Sequence, residues 1–246
     1  MFRMTPGVKW LLIVNCVMFV VSFLATGTRF GGFLLLLGLG PQAVVTSGAV
    51  WQLFTYMFLH SPYGFGHILM NMLTLWMFGT PLEGTWGTRR FLQYYFFCGV
   101  GAGVCVVVLN LLAGTGNTRT IGASGAIYGL LLAFGILFPR AIIYFFMMFP
   151  MEARWYVLIM GAIVFLSAWG DTGGGVSHFA HLGGMVFGYL WLRMDLGKQA
   201  AKRPRRNLLE ELEQSYKDWK FRRAKKKFQV YLKKQGSDRK WDDTVH

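Results

Sequence analysis

Six apolar stretches, roughly residues 10–26, 66–82, 91–112, 122–138, 154–170 and 178–194, dominate this sequence. Each approaches the about 20 residues of helix that cross a hydrocarbon core about 30 Å thick. Charges, prolines or glycine runs mark their ends, as at Arg89-Arg90, Gly114-Thr115-Gly116, Phe138-Pro139-Arg140 and Gly173-Gly174-Gly175. With 54% hydrophobic residues and 22 Phe, the chain has too little polar surface for a water-soluble domain. The pattern predicts an all-α membrane protein, a six-transmembrane-helix bundle. The first stretch follows Arg3 and Lys9 as a signal peptide would, but Ala25-Thr26-Gly27 is a poor cleavage site, so it reads as an uncleaved signal anchor. Cys16, Cys98 and Cys105 lie in apolar runs without regular spacing, which suggests neither a disulfide framework nor a cysteine zinc site.

Charge sets the expected topology. Residues 1–196 hold 9 Lys/Arg against 4 Asp/Glu, and residues 197–246 hold 16 against 7. The chain therefore divides into a membrane core, 1–196, and a basic tail, 197–246. With six spans and a cytoplasmic N-terminus, all these bases fall inside except Arg29 and Arg119, as the positive-inside rule requires. A seventh span within 27–65 would reverse that distribution. Phe33–Leu37 is too short to span, and Ala43–Leu59 is diluted by Thr46, Ser47, Gly48 and Gln52. Residues 27–65 are accordingly read as an external, partly embedded loop anchored by Trp51 and Tyr56. On the inner side, the mixed loop from Arg140 to Arg154 is expected to dip an apolar face into the headgroups. The tail carries Leu208, Leu212, Tyr216 and Trp219 at helical spacing among its bases. This suits a cytoplasmic amphipathic helix on anionic lipid, with a solvated charged helix as the competing reading. No known nucleic-acid motif accompanies Lys225-Lys226-Lys227, so nucleic acid is not an expected partner.

Polar groups that apolar spans retain are informative because a bilayer makes them costly. The second span opens with His67 and has Asn71 four residues on. The fourth opens with Gly122-Ala123-Ser124-Gly125 and the sixth with His178-Phe179-Ala180-His181. These three spans run in the same direction, which puts His67, Ser124 and His181 at one shallow depth beneath the outer face. Helical periodicity sets Asn71 on the face of His67, and Tyr128 on the face of Ser124. Gly125 and Gly129 make a small face on the fourth span; Gly184 and Gly188 make one beneath His181. Spans four and six are thus expected to touch, with a hydroxyl beside an imidazole at the top of the contact. That pair is the minimal activated nucleophile. The Ser124 amide, in the first turn of a helix, together with His67 and Asn71, supplies donors for an oxyanion. No carboxylate completes a triad, so a Ser-His dyad is expected, with ring packing by Tyr128 in place of the acid.

Other readings of these residues exist. Serine in Gly-Ala-Ser-Gly is commonly a packing residue. His60, His67, 178 and 181 resemble a zinc set, but no H-E-x-x-H base is present, and neither metal nor cofactor is expected. Asp171 alone does not furnish an aspartyl pair, and Ala126 breaks a G-x-S-x-G elbow. A non-catalytic membrane-protein binder or a small transporter remains as an alternative class.

In order along the chain, Trp51, His67-x-x-x-Asn71, Gly79, Glu83, Gly122-Ala123-Ser124-Gly125 and His181-Leu-Gly-Gly184 resemble the motifs of the bacterial rhomboid intramembrane serine proteases. The resemblance covers about residues 8–194. It departs at Gln52, where the family often has arginine after the tryptophan, and in the long interval from His60 to His67. It implies Ser124 as nucleophile, His181 as base, and His67, Asn71 and the Ser124 amide as oxyanion stabilisers. It also implies cleavage of transmembrane substrates near their outer end through an acyl-enzyme, with the fifth span and the loop before the sixth gating access. The implied location is the bacterial inner membrane, with both termini cytoplasmic and the active site facing outward.

Overall fold

The computed structural model describes residues 4–113, 119–145, 148–170, 176–202, 216–217 and 219–225. Six longer helices correspond to the six apolar stretches: α1 (Pro6–Leu24), α5 (Phe65–Trp86), α6 (Thr88–Ala113), α7 (Ser124–Leu137), α8 (Ala153–Gly170) and α9 (Val176–Lys202). Three short ones, α2 (Arg29–Leu34), α3 (Pro41–Thr46) and α4 (Gln52–Thr55), lie in the long loop between α1 and α5. By length and composition α1 and α6 suffice to cross a membrane, and α7 and α8 are shorter apolar helices. Contacts divide the chain into one unit of residues 1–196 and another of 197–246.

Burial separates two kinds of apolar surface. On α1 only the stripe through Val8, Leu11, Asn15 and Phe19 is buried, and Trp10, Val17, Val20 and Leu24 face outward. The same excess of exposed large apolar residues recurs on α8, with Leu158, Ile163, Phe165 and Leu166. A fold in water would hide such side chains, whereas lipid solvates them. The core is centred on α6, whose Tyr94, Tyr95, Cys98, Ala102 and Val106 are buried.

Helix ends are satisfied by distant partners. The α1 N-terminus begins at Pro6, and the Glu83 carboxylate, from the last turns of α5, accepts from the Gly7 and Val8 amides at 2.7 and 2.8 Å and from the Thr88 hydroxyl at 2.6 Å. An anion at a helix N-terminus both pairs its free amides and complements the dipole. Glu83 thus fastens α1, α5 and α6 together at one end of the bundle.

Of the two aromatic anchors expected in the long loop, Tyr56 packs into the core instead. Trp51 is half-exposed, but Tyr56 is 1% exposed and donates its hydroxyl to the Gly99 carbonyl at 2.7 Å. Tyr56 is therefore a core residue: a buried phenol needs an acceptor, and the tight glycine-rich turn of α6 supplies one. Gln52 accepts from the Gly40 amide and donates to the Leu36 carbonyl, both at 2.9 Å, so it staples the loop at the position where the family often has arginine. The stretch from Arg140 to Arg154 also differs from a plain loop. It holds an antiparallel hairpin of β1 (Ile142–Phe145) and β2 (Phe149–Glu152), the only strands among the described residues.

In the 197–246 unit, residues 216–217 and 219–225 are helical. Tyr216 and Trp219 stack at 5.9 Å, and Arg223 sits 5.2 Å over the Trp219 ring. Leu208 and Leu212, as well as Asp171 and the glycine run 173–175, lie outside the described residues.

Candidate active site

The strand-like approach to α7 positions Ser124. Leu39 and Thr120 exchange two backbone hydrogen bonds, at 3.0 and 2.9 Å, and the Gly122 amide donates to the Tyr56 carbonyl at 2.9 Å. The loop between α1 and α5 thereby holds the residues just before the serine. Gly122 has φ +119°, a region that favours glycine, and a Cβ there would lie 3.1 Å from two atoms of the His67 ring. Glycine at 122 therefore serves both the turn and the histidine beside it. Ser124 is the first residue of α7, where amides lack partners within the helix.

Close helix approach delivers the histidine. A Cβ at Gly184 would collide with the Gly125 carbonyl; one at Gly188 would lie 2.5 Å from the Tyr94 hydroxyl and 3.3 Å from the Gly129 Cα. One at Gly125 would meet Ala102 at 2.6 Å, and one at Gly129 would meet Cys98 at 2.6 Å. α7 is thus wedged between α6 and α9 with backbone against backbone, the arrangement that small residues permit in lipid. At the top of this seam His181 Nε2 lies 2.7 Å from Ser124 Oγ. The Tyr128 ring stacks on His181, with centroids 4.3 Å apart and planes 18° apart. His181 Nδ1 has no hydrogen-bond partner, so the stack and not a carboxylate orients the imidazole.

One cavity of about 290 Å³ gathers His67, Asn71, Ser124, Tyr128 and His181, with Tyr156 and Met160 of α8 closing its side. Asn71 donates from Nδ2 to the His67 carbonyl at 3.0 Å, which fixes its amide on that wall. Periodicity in the sequence gives every one of these except the two α8 residues, whose share in the cavity depends on helix packing. Tyr56 and Gln52 are the supporting residues that the sequence reading missed or misplaced. No local pattern distinguishes a loop tyrosine that turns inward.

The remaining histidines form two pairs. His178 is 6.2 Å from His181, edge to face, and its Nδ1 is unpartnered. His60 is 5.2 Å from His67, is 1% exposed, and has no hydrogen-bond partner at either ring nitrogen. Burial first, and the neighbouring His67 second, push the His60 pKa down to about 4, with the Phe58 backbone acting less strongly the other way. Among the described residues no three His, Cys, Asp or Glu side chains converge as a metal site requires.

Residues 47–198 match the rhomboid domain profile. The chain is 34% identical over 133 residues to Rhomboid protein 1, mitochondrial, of Saccharomyces cerevisiae, which covers 52% of this chain and 37% of that protein. It is 26% identical over 187 residues to Rhomboid protease GluP of Bacillus subtilis, covering 75% and 34%. It is 33% identical over 159 residues to Rhomboid-like protease 5 of Toxoplasma gondii, covering 62% and 17%. The matches thus span about a third or less of these relatives' own lengths, and two of the three are named as proteases. With the profile matched over more than half of its length, the chain belongs to the rhomboid family.

Proposed function

We propose that this integral membrane protein is an intramembrane serine endopeptidase working through a Ser124–His181 dyad. The observation that carries the proposal is the 2.7 Å contact between Ser124 Oγ and His181 Nε2. His181 Nε2 takes the hydroxyl proton as Oγ attacks the scissile carbonyl carbon, and a tetrahedral oxyanion forms. The Ser124 amide, the free N–H of the Asn71 side chain and His67 stand around the cavity as donors to it. His181 then returns the proton to the departing amine, leaving an acyl-enzyme on Ser124. Water adds to the acyl carbon while His181 again takes a proton; collapse releases the acid and restores the hydroxyl.

The cavity's position fits a peptide bond that has left regular helix. Its apolar lining by Met70, Ile127 and Leu131 suits a small apolar side chain next to the cut. In this reading six helices span the bilayer, both termini are cytoplasmic, and the dyad faces the outside of a bacterial inner membrane, so single transmembrane segments are cut near their outer end. In the basic tail, exposed Tyr216, Trp219 and Phe221 beside Arg223 suit binding to anionic lipid.

The test is cleavage of a single-span reporter by the full chain in liposomes. Ser124→Ala and His181→Ala are expected to abolish it; turnover at the wild-type rate in either variant refutes the dyad. Asn71→Ala is expected to slow cleavage about 10- to 10³-fold, the value of one oxyanion donor. A fluorophosphonate probe is expected to label Ser124 and to fail once His181 is replaced.

A further inference from the structure

The β1–β2 hairpin joins the C-terminal end of α7 to the start of α8, so it lies at the end of the bundle remote from Ser124. Its two faces differ. Ile143, paired with Met151, is buried against the core, whereas Ile142 and Tyr144 on the opposite face are 57% and 60% exposed. Met148, in the turn, is 72% exposed, and Phe149, which pairs with Phe145 on the Ile143 side, is 61% exposed at the hairpin tip. Four large apolar side chains thus stand outside the helical bundle at a level where water would solvate them poorly.

Two features identify what covers them. The patch is continuous with the outward apolar side of α8 through Trp155 and Leu158, which lipid solvates. The same end of the bundle carries Lys9, Arg89, Arg140 and Arg154, while the Glu83 carboxylate is engaged by the α1 amides and that of Glu152 by Arg154 at 2.6 Å. Aromatic and aliphatic side chains ringed by bases match the headgroup boundary of an anionic leaflet.

We infer that the hairpin is a membrane foot, with Ile142, Tyr144, Met148 and Phe149 seated in the headgroup–acyl boundary of the leaflet opposite the Ser124–His181 pair. Such seating buries an apolar face about 5–10 Å deep. The foot is bonded to α8: Ala153 donates its amide to the Ala141 carbonyl at 2.8 Å, and Arg154 donates to Pro139 at 3.1 Å. α8 in turn presents Tyr156 and Met160 to the active cavity. The lipid under the foot therefore bears on the helix that closes the site's side.

The experiment places an environment-sensitive NBD label on Met148→Cys, in a Cys16→Ser background of the full chain. The protein is reconstituted in phosphatidylcholine–phosphatidylglycerol bilayers, with unsubstituted Cys16→Ser protein as the blank. A blue-shifted emission that falls by about half with lipids brominated near the top of the chains is expected of an interfacial residue. Water-like emission unchanged by brominated lipid overturns the inference. A blue shift without quenching also overturns it, because protein and not lipid would then cover the patch. Tyr144→Cys, labelled in the same way, provides a second reading should Met148→Cys fold poorly. Quenching needs no proteolysis, so its outcome is independent of the dyad assignment.

Discussion

Gly184 lies so close to the Gly125 carbonyl that a single methyl group at 184 would collide with it. The contact is backbone on backbone, three residues along α9 from His181 and one along α7 from Ser124. The separation of Ser124 Oγ and His181 Nε2 is thus set by the absence of side chains below them.

Gly184→Ala is expected to push α9 away from α7. Misplacement of catalytic groups by about 1 Å costs on the order of 100-fold in rate, and overpacking costs about 1–3 kcal/mol in stability. Reporter cleavage, read beside a denaturation curve, checks both. Wild-type turnover in this variant would mean that the seam does not position the dyad.

Tyr128 acts on His181 through its ring face and not its hydroxyl, given the 4.3 Å stack. Tyr128→Phe is therefore expected to cleave within about twofold of wild type, and Tyr128→Ala about 10-fold more slowly, since a stacked aromatic pair is worth about 0.5–1.5 kcal/mol. A Phe variant as slow as the Ala variant would transfer the role to the hydroxyl.

Glu83 accepts three hydrogen bonds, two of them from the α1 amides. Glu83→Ala leaves those donors buried without an acceptor. A loss of about 2–4 kcal/mol is expected, with hydrogen bonds to charged groups at about 1.5–3 kcal/mol each and partial compensation by water. The check is a lower thermal midpoint in detergent together with earlier proteolysis around residue 5. Fluorophosphonate labelling of Ser124 in the surviving folded fraction is expected to persist.

His60 makes stability depend on pH. Its folded-state pKa of about 4 lies below the ordinary histidine value of 6.5, so the unfolded chain takes up the proton first as pH falls. The contribution is intact above about pH 6.5 and is lost between there and about pH 4, to a total of about 3 kcal/mol. His60→Asn is expected to flatten that part of the profile relative to wild type, measured as unfolding free energy at each pH. Parallel profiles would place the acid sensitivity elsewhere.

Much of the site is legible from spacing alone, because helix periodicity and direction are both written in the chain. His67 and Asn71 share a face by virtue of a four-residue interval, and Ser124 and His181 meet near the starts of α7 and α9. Gly125, Gly129, Gly184 and Gly188 declare the contact. The loop of 27–65 is less legible, since its bonds join residues with no periodic relation: Gln52 to Leu36 and Gly40, Tyr56 to Gly99. Tyr56 in particular has the composition of an interfacial anchor and the environment of a core residue. Glu83 stands at the inner end of its helix by sequence, but its partners on α1 lie 75 and 76 residues away. The hairpin at 142–152 is hidden by an almost unbroken apolar run, in which neither a two-residue nor a 3.6-residue period emerges.

The brevity of α7 has a consequence for the proposed cleavage. Its 14 residues reach about 21 Å, against about 30 Å of hydrocarbon. In the proposed topology, a rod that short, moored by the hairpin at its far end, stops about 9 Å shy of the opposite surface. In that topology the serine lies below the outer surface by a depth counted in residues. One added turn would lift it by about 5 Å and move the point of scission on any substrate correspondingly outward.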